Sequence, residues 1–181
     1  MKLIFSLILC SFISACSMVA PKYQPSTDSS NLLQDVSDNK LYAGEFTQKT
    51  PEVNEVSLRG GSLISPYNES YSLYLSKALE EELRLAGMWD SKSATEISGI
   101  LIENELDVSG FSVGTASIKV EFIVTRDNNT AYKKQLSANH EWESSFLGAV
   151  AIPAGQNNYH IVVQKLFNKL FSDPDFIAAI K

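Results

Sequence analysis

A single α+β domain with its helices on one face of a sheet is predicted by three stretches of this chain. Tyr71, Tyr74, Leu75, Ala78, Leu79, Leu83 and Ala86 recur at helical spacing. Ala116, Ile118, Val120, Phe122 and Val124 alternate with Ser117, Lys119, Glu121 and Ile123, the period of a strand with one buried face. Tyr159, Val162, Val163, Leu166, Phe167, Leu170 and Phe171 return to helical spacing. The implied order over residues 53–181 is strand, helix, three antiparallel strands, helix, with helices and sheet in two layers.

The elements follow in chain order. Residues 1–15 read as a secretory signal: Lys2 is positive, and Leu3 to Ile13 is apolar apart from Ser6, Cys10 and Ser11. A permanent membrane span needs roughly 20 apolar residues, so this run is too short. Residues 16–52 are rich in Ser, Asn, Gln, Asp and Pro and read as a tether. A flexible chain of that length would span about 30–36 Å. Leu32, Leu33, Val36, Leu41, Tyr42 and Phe46 are more apolar than a tether needs, which leaves open that part of it docks on the domain.

Val53 to Ile64 reads as a strand bent at Gly60-Gly61. The glycine pair lacks the lysine and the following helix of a phosphate loop. Asn68 or Ser70 caps the first helix and Gly87 stops it, with Glu80, Glu81 and Glu82 on its solvated face. Glu96 to Val108 is a strand apolar enough to be covered on more than one face at its centre. Arg126 to Thr130 is a polar turn leading into a third strand, Ala131 to Glu143, where Lys134 breaks the alternation and marks an edge. Pro153 is the natural first residue of the last helix, Asp173-Pro174 ends it, and Asp175 caps a short apolar turn over 176–180.

Composition narrows the function classes. Hydrophobic residues make up 44% of the chain, enough for a real core. The formal charge is −6, and −7 once Lys2 leaves with the signal, with no cluster of Lys or Arg. Phosphate backbones would repel such a surface, so nucleic acid is not expected as a partner. The only cysteines are Cys10 and Cys16, which leaves no thiol downstream for a disulfide or metal cluster. No cofactor or metal is expected.

Ile13-Ser14-Ala15-Cys16 resembles the lipobox of bacterial lipoproteins. That resemblance implies cleavage before Cys16, a diacylglyceryl group on its sulfur and an acyl chain, such as palmitate, on the new amino terminus. Two or more acyl chains anchor a protein stably. Ser17, where an aspartate would favour retention at the inner membrane, implies an outer-membrane lipoprotein facing the periplasm. An ordinary cleaved signal is the alternative. LRGGSLISPY and WESSFLGAVAIP look like phrases of poorly characterised bacterial lipoproteins, and the element order over about residues 53–172 resembles the lipopolysaccharide-assembly lipoprotein family. No functional residue transfers from that likeness.

The remaining candidates are chemical or interfacial. His140 and His160, beside Glu141, Glu143, Ser144 and Ser145, are the starting point for catalysis, but there is no G-x-S-x-G elbow, no metal spacing and no hexapeptide repeat. A non-enzyme is expected. Phe146 to Pro153 is eight residues without a side-chain hydrogen-bonding group. It is either a core strand or connection, or an exposed patch for a partner protein or lipid. Phe146, Leu147, Val150 and Ile152 are therefore candidate partner-binding residues, joined by Phe111 in the loop Asp107 to Gly114, which otherwise is a plain hairpin tip. An edge strand could also accept a partner's strand. The expected function is a membrane-anchored accessory or assembly module that binds another envelope protein. The alternative, a carrier or sensor of an apolar ligand, requires a cavity lined by Leu75, Phe122, Val163 and Phe167.

Overall fold

Long alternating strands dominate the computed structural model, which describes residues 17–34 and 39–181. The signal, Cys16 and Val36 lie outside these residues. The elements are β1 (Ser17–Val19), α1 (Thr27–Gln34), β2 (Tyr42–Gln48), a 3-10 turn (Pro51–Asn54), β3 (Val56–Leu58), β4 (Gly61–Ile64), α2 (Tyr71–Leu85), β5 (Thr95–Asp107), β6 (Val113–Arg126), β7 (Asn129–Glu143), α3 (Gly148–Phe171) and α4 (Pro174–Ile180). They form a single α+β domain with two mixed sheets, as the periodicity predicts in class.

The main sheet has the order β2-β5-β6-β7. The antiparallel β5-β6-β7 core follows from alternation, and Asp127 and Asn128, with φ of 48° and 63°, make the turn between β6 and β7. Ile118, Val120, Phe122 and Val124 project under the helices and are buried. On β5 the alternation slips: Ile97 and Leu101 point inward, and a register shift between Leu101 and Glu103 then turns Asn104 and Leu106 inward. Ile100 and Ile102 are consequently half-buried on the open sheet face, not covered by a second layer. Lys134 does sit on an edge strand, where its ammonium pairs with Asp173 at 2.8 Å and Asp175 at 3.2 Å. Asp173 accepts from the Asp175 N–H and caps α4.

Three assignments change. The stretch 53–64 does not join the main sheet; β3 and β4 form a hairpin that pairs with β1 in a three-stranded sheet. The fourth strand of the main sheet is instead β2, parallel to β5, which comes from the segment read as a tether. Among the described residues, folded structure thus reaches back to Ser17 and does not start near residue 53. Apolar residues cause this: Leu33, Leu41, Ala43 and Phe46 are buried, and burying one large aliphatic or aromatic side chain is worth about 1.5–3 kcal/mol. Long-range polar contacts complete the docking, including Gln164 Nε2 to the Gln24 carbonyl at 2.8 Å and Ser29 Oγ to Asn168 Oδ1 at 2.6 Å.

The third change concerns Glu82. It is fully buried, whereas Glu80 pairs with Lys77 and Arg84 on the surface as expected. Tyr23 folds back over α2 and its hydroxyl donates to Glu82 Oε1, which also accepts from the Ser26 N–H at 3.1 Å. Among the described residues Glu82 Oε2 has no hydrogen-bond partner. Burial raises the Glu82 pKa above its usual 4.5, against the lowering effect of the hydrogen bonds from Tyr23 and Ser26. The folded state therefore holds this proton more tightly than the unfolded chain does.

Its contribution to stability is fully present below the unfolded carboxylate pKa and is lost as pH rises through the raised folded value. Glu82→Gln removes that titration and keeps an acceptor for Tyr23. Denaturant unfolding from pH 4 to pH 8 is expected to show the wild type losing stability relative to Glu82→Gln as pH rises. A wild type that gains on the variant with rising pH would contradict the burial argument.

Candidate functional site

The end of the sheet at which β5 finishes, β6 starts, β7 finishes and α3 starts carries the sequence-derived candidates. The loops between these elements must turn the chain without burying their own backbone, so they stay at the surface. Phe111 and Phe146, one from each loop, stack with ring centroids 5.1 Å apart and planes at 14°. They are 79% and 61% exposed, Leu147 is 65% exposed and Val150 52%. Val113, not foreseen, adds a fifth apolar surface residue at 48%. Ile152 differs: it is partly buried and packs against the core.

The run from Phe146 thus resolves into an exposed loop and the first turn of a helix, not a core strand. α3 starts at Gly148, five residues before Pro153, because Val150 and Ala151 N–H groups already reach the Leu147 carbonyl at 2.9 and 3.0 Å. Ala151 and Gly155 face inward. At Gly155 a β-carbon would stand 2.7 Å from Val108 Cγ1, so glycine lets α3 close against the end of β5.

Arg59 holds this apex together. It lies in the two-residue turn between β3 and β4, where Arg59 and Gly60 have φ of 44° and 81°, a turn in which both central residues are left-handed. From there Arg59 Nε donates to the Val108 carbonyl at 2.8 Å, Nη2 to the Ser109 carbonyl at 3.3 Å, and Nη1 to the Phe146 carbonyl at 2.5 Å. Its guanidinium also lies 5.7 Å from the Phe146 ring centroid. One side chain therefore ties the small sheet to both aromatic loops. Ser144 N–H to the Ser112 carbonyl, 2.8 Å, joins the loops directly.

The catalytic candidates are separated or occupied. His140 Nε2 lies 2.9 Å from Asn158 Oδ1, and its Nδ1 lies 3.0 Å from Lys165 Nζ. Asn158 Nδ2 donates to the Ala154 carbonyl, so Oδ1 faces the histidine as an acceptor and the imidazole carries its proton on Nε2. Both ring nitrogens are thus in use, each with a side-chain partner. Glu141 and Glu143 alternate to the opposite strand face, and Ser145 Oγ accepts from the Leu147 N–H. His160 is half-buried, and burial lowers its pKa. Among the described residues no group of three or more acidic or histidine side chains is placed to hold a metal ion.

The space between helices and sheet is filled. Leu75, Phe122, Val163 and Phe167 are all buried, with Phe122 and Phe167 ring centroids 6.1 Å apart and Phe46 5.9 Å from Phe122. Concavities of 200–330 Å³ open on the surface instead, one of them lined by Glu55, Asn104, Asp107 and Thr115. None of those three includes Leu75, Phe122, Val163 or Phe167.

No protein-family model and no curated protein matches the chain. Among solved structures, a DUF330-family protein from Xanthomonas campestris is similar with a TM-score of 0.62 and 12% identity, over 90% of this chain and 96% of that one. A minor lipoprotein from Acinetobacter baumannii is more distant, with a TM-score of 0.44 and 12% identity over 77% and 92% of the two chains. The first likeness establishes a shared fold.

Arg59→Ala is expected to lower unfolding free energy by about 1–3 kcal/mol and to speed amide exchange in residues 108–112 and 144–148. Arg59→Lys is expected to restore little, since a lone ammonium lacks the planar fork that reaches three carbonyls. Full recovery in the lysine variant would show that charge, not the fork, matters.

Proposed function

We propose that the chain is a non-enzymatic accessory module of the cell envelope, tethered to the outer membrane through lipid on Cys16, facing the periplasm and binding another envelope protein. The observation that carries this reading is the filled core at Leu75, Phe122, Val163 and Phe167. A carrier needs an internal cavity at that position, and ligand pockets generally enclose several hundred Å³. The occupied nitrogens of His140 support a structural role for that histidine and with it a binding function over a catalytic one. The sheet face left open by the helices, with Ile100, Ile102 and Ile123 half-buried among polar neighbours, is the surface available to a protein partner.

The test is in-cell photo-crosslinking from position 102, with Cys16→Ser as the mislocalised control. One specific envelope protein captured by the anchored form and lost in the control is the expected result. Capture of no protein, together with an apolar ligand that co-purifies with the intact domain, would replace this reading with the carrier.

A further inference from the structure

Apolar exposure in this fold is concentrated at one end. Of the seven large apolar side chains exposed among the described residues, Phe111, Val113, Phe146, Leu147 and Val150 come from the two apex loops and the helix turn that follows. The stacked Phe111 and Phe146 stay mostly exposed even with the Arg59 guanidinium beside the Phe146 ring, and Arg59 holds their loops in place by three carbonyl contacts. An aromatic pair that is both rigid and exposed is arranged to meet something outside the fold.

The position of the N-terminal end says what that is. β1 runs parallel to β4 with Ser17 opposite Ser62, and its direction brings the chain in beside Gly61 and the Arg59–Gly60 turn. Cys16 is the residue that precedes Ser17 in the sequence. Strand spacing of about 4.8 Å and a rise of about 3.4 Å per residue then put the turn that holds Phe146 within about 15 Å of Ser17. Among the described residues the chain is docked from Ser17 onward, because β1 is itself paired into the small sheet and the Ala20 N–H that follows it donates to the Ile64 carbonyl at 2.8 Å.

We propose that Phe111, Phe146, Leu147 and Val150 insert into the lipid surface beside the acyl chains of Cys16, so that the domain sits on the membrane in one fixed orientation. This rests on the reading of Cys16 as lipidated. The surface it fits is uncharged overall: Asp107, Glu141 and Glu143 flank the apex, and the charge of Arg59 is engaged with carbonyls, so anionic headgroups gain no cationic partner there. Aromatic and aliphatic side chains at headgroup level add apolar burial to an acyl anchor. The open sheet face stays free for a protein partner.

Once residues 1–15, with Cys10, are cleaved and Cys16 is acylated, a single introduced cysteine labels uniquely. The acylated mature protein carrying Val150→Cys or Leu85→Cys, each with an environment-sensitive fluorophore, is reconstituted in phosphatidylcholine vesicles that contain a nitroxide lipid. Leu85 is exposed at the end of α2, near the start of β5 and away from the apex. Expected is a blue-shifted label at position 150, quenched at least threefold more than the label at 85, with the difference lost in Phe111→Ser/Phe146→Ser. Equal quenching at both positions in protein that floats with the vesicles would overturn the lipid contact while leaving the anchor intact. Protein that does not float at all would overturn the lipidation reading first. A label at 150 shielded in native membranes but not in plain vesicles would transfer the apex to a protein partner and likewise overturn the proposal.

Discussion

The parallel pairing of Ser17–Val19 with Ser62–Ile64 is the constraint on which the rest of the molecule depends. It fixes where the N-terminal end enters the fold, beside the Arg59–Gly60 turn. That turn in turn fixes Arg59, whose fork reaches the carbonyls of Val108, Ser109 and Phe146. The apolar apex and the entering chain are thereby parts of one rigid unit.

Segment 20–34 continues that docking by a different chemistry. Tyr23 lies edge-on to both Tyr74 and Phe167, at 6.2 and 6.1 Å, so its ring is part of the core while its hydroxyl meets Glu82. A buried carboxylate with one bare oxygen is a costly way to hold a segment. It gives specificity in exchange: Tyr23 and the Ser26 N–H are the groups that satisfy the other oxygen. The same aromatic packing brings rings from the N-terminal segment, α2 and α3 together in the interior, with Tyr74 5.6 Å from Tyr159 and Tyr23 6.1 Å from Phe167.

The elements that sequence reveals are those stabilised by their own period. β6, β7, α2 and the body of α3 bury one face each, and Val120, Leu79 and Phe167 repeat at the spacing their element requires. β2 and α1 were obscured because they are polar on average and the apolar side chains they bury are few: Leu33, Ala43 and Phe46. Their order comes from partners far along the chain, such as β5, which local composition does not register. The slip on β5 has a related cause: a bulge shifts the alternation by one residue, and Ile100, Leu101 and Ile102 in a row give no sign of which of them turns outward.

The candidate site was legible in part for the same reason. Phe111 and Phe146 stood out as aromatic residues in loop-like surroundings, and their stacking joins loops some 35 residues apart. Arg59 and Glu82 were missed because each acts through contacts 49 to 87 and 56 to 59 residues away, respectively. Nothing local distinguishes Glu82 from Glu80 and Glu81.

Amide hydrogen exchange over residues 17–34 of the acylated protein in a bilayer is the most direct test of the account. Protection of Met18 to Ala20 and of α1 comparable to that of β5 is the result the docked arrangement requires. Exchange of these amides at the rate of a free chain, with β5 to β7 still protected, would contradict it and return the segment to the role of a leash.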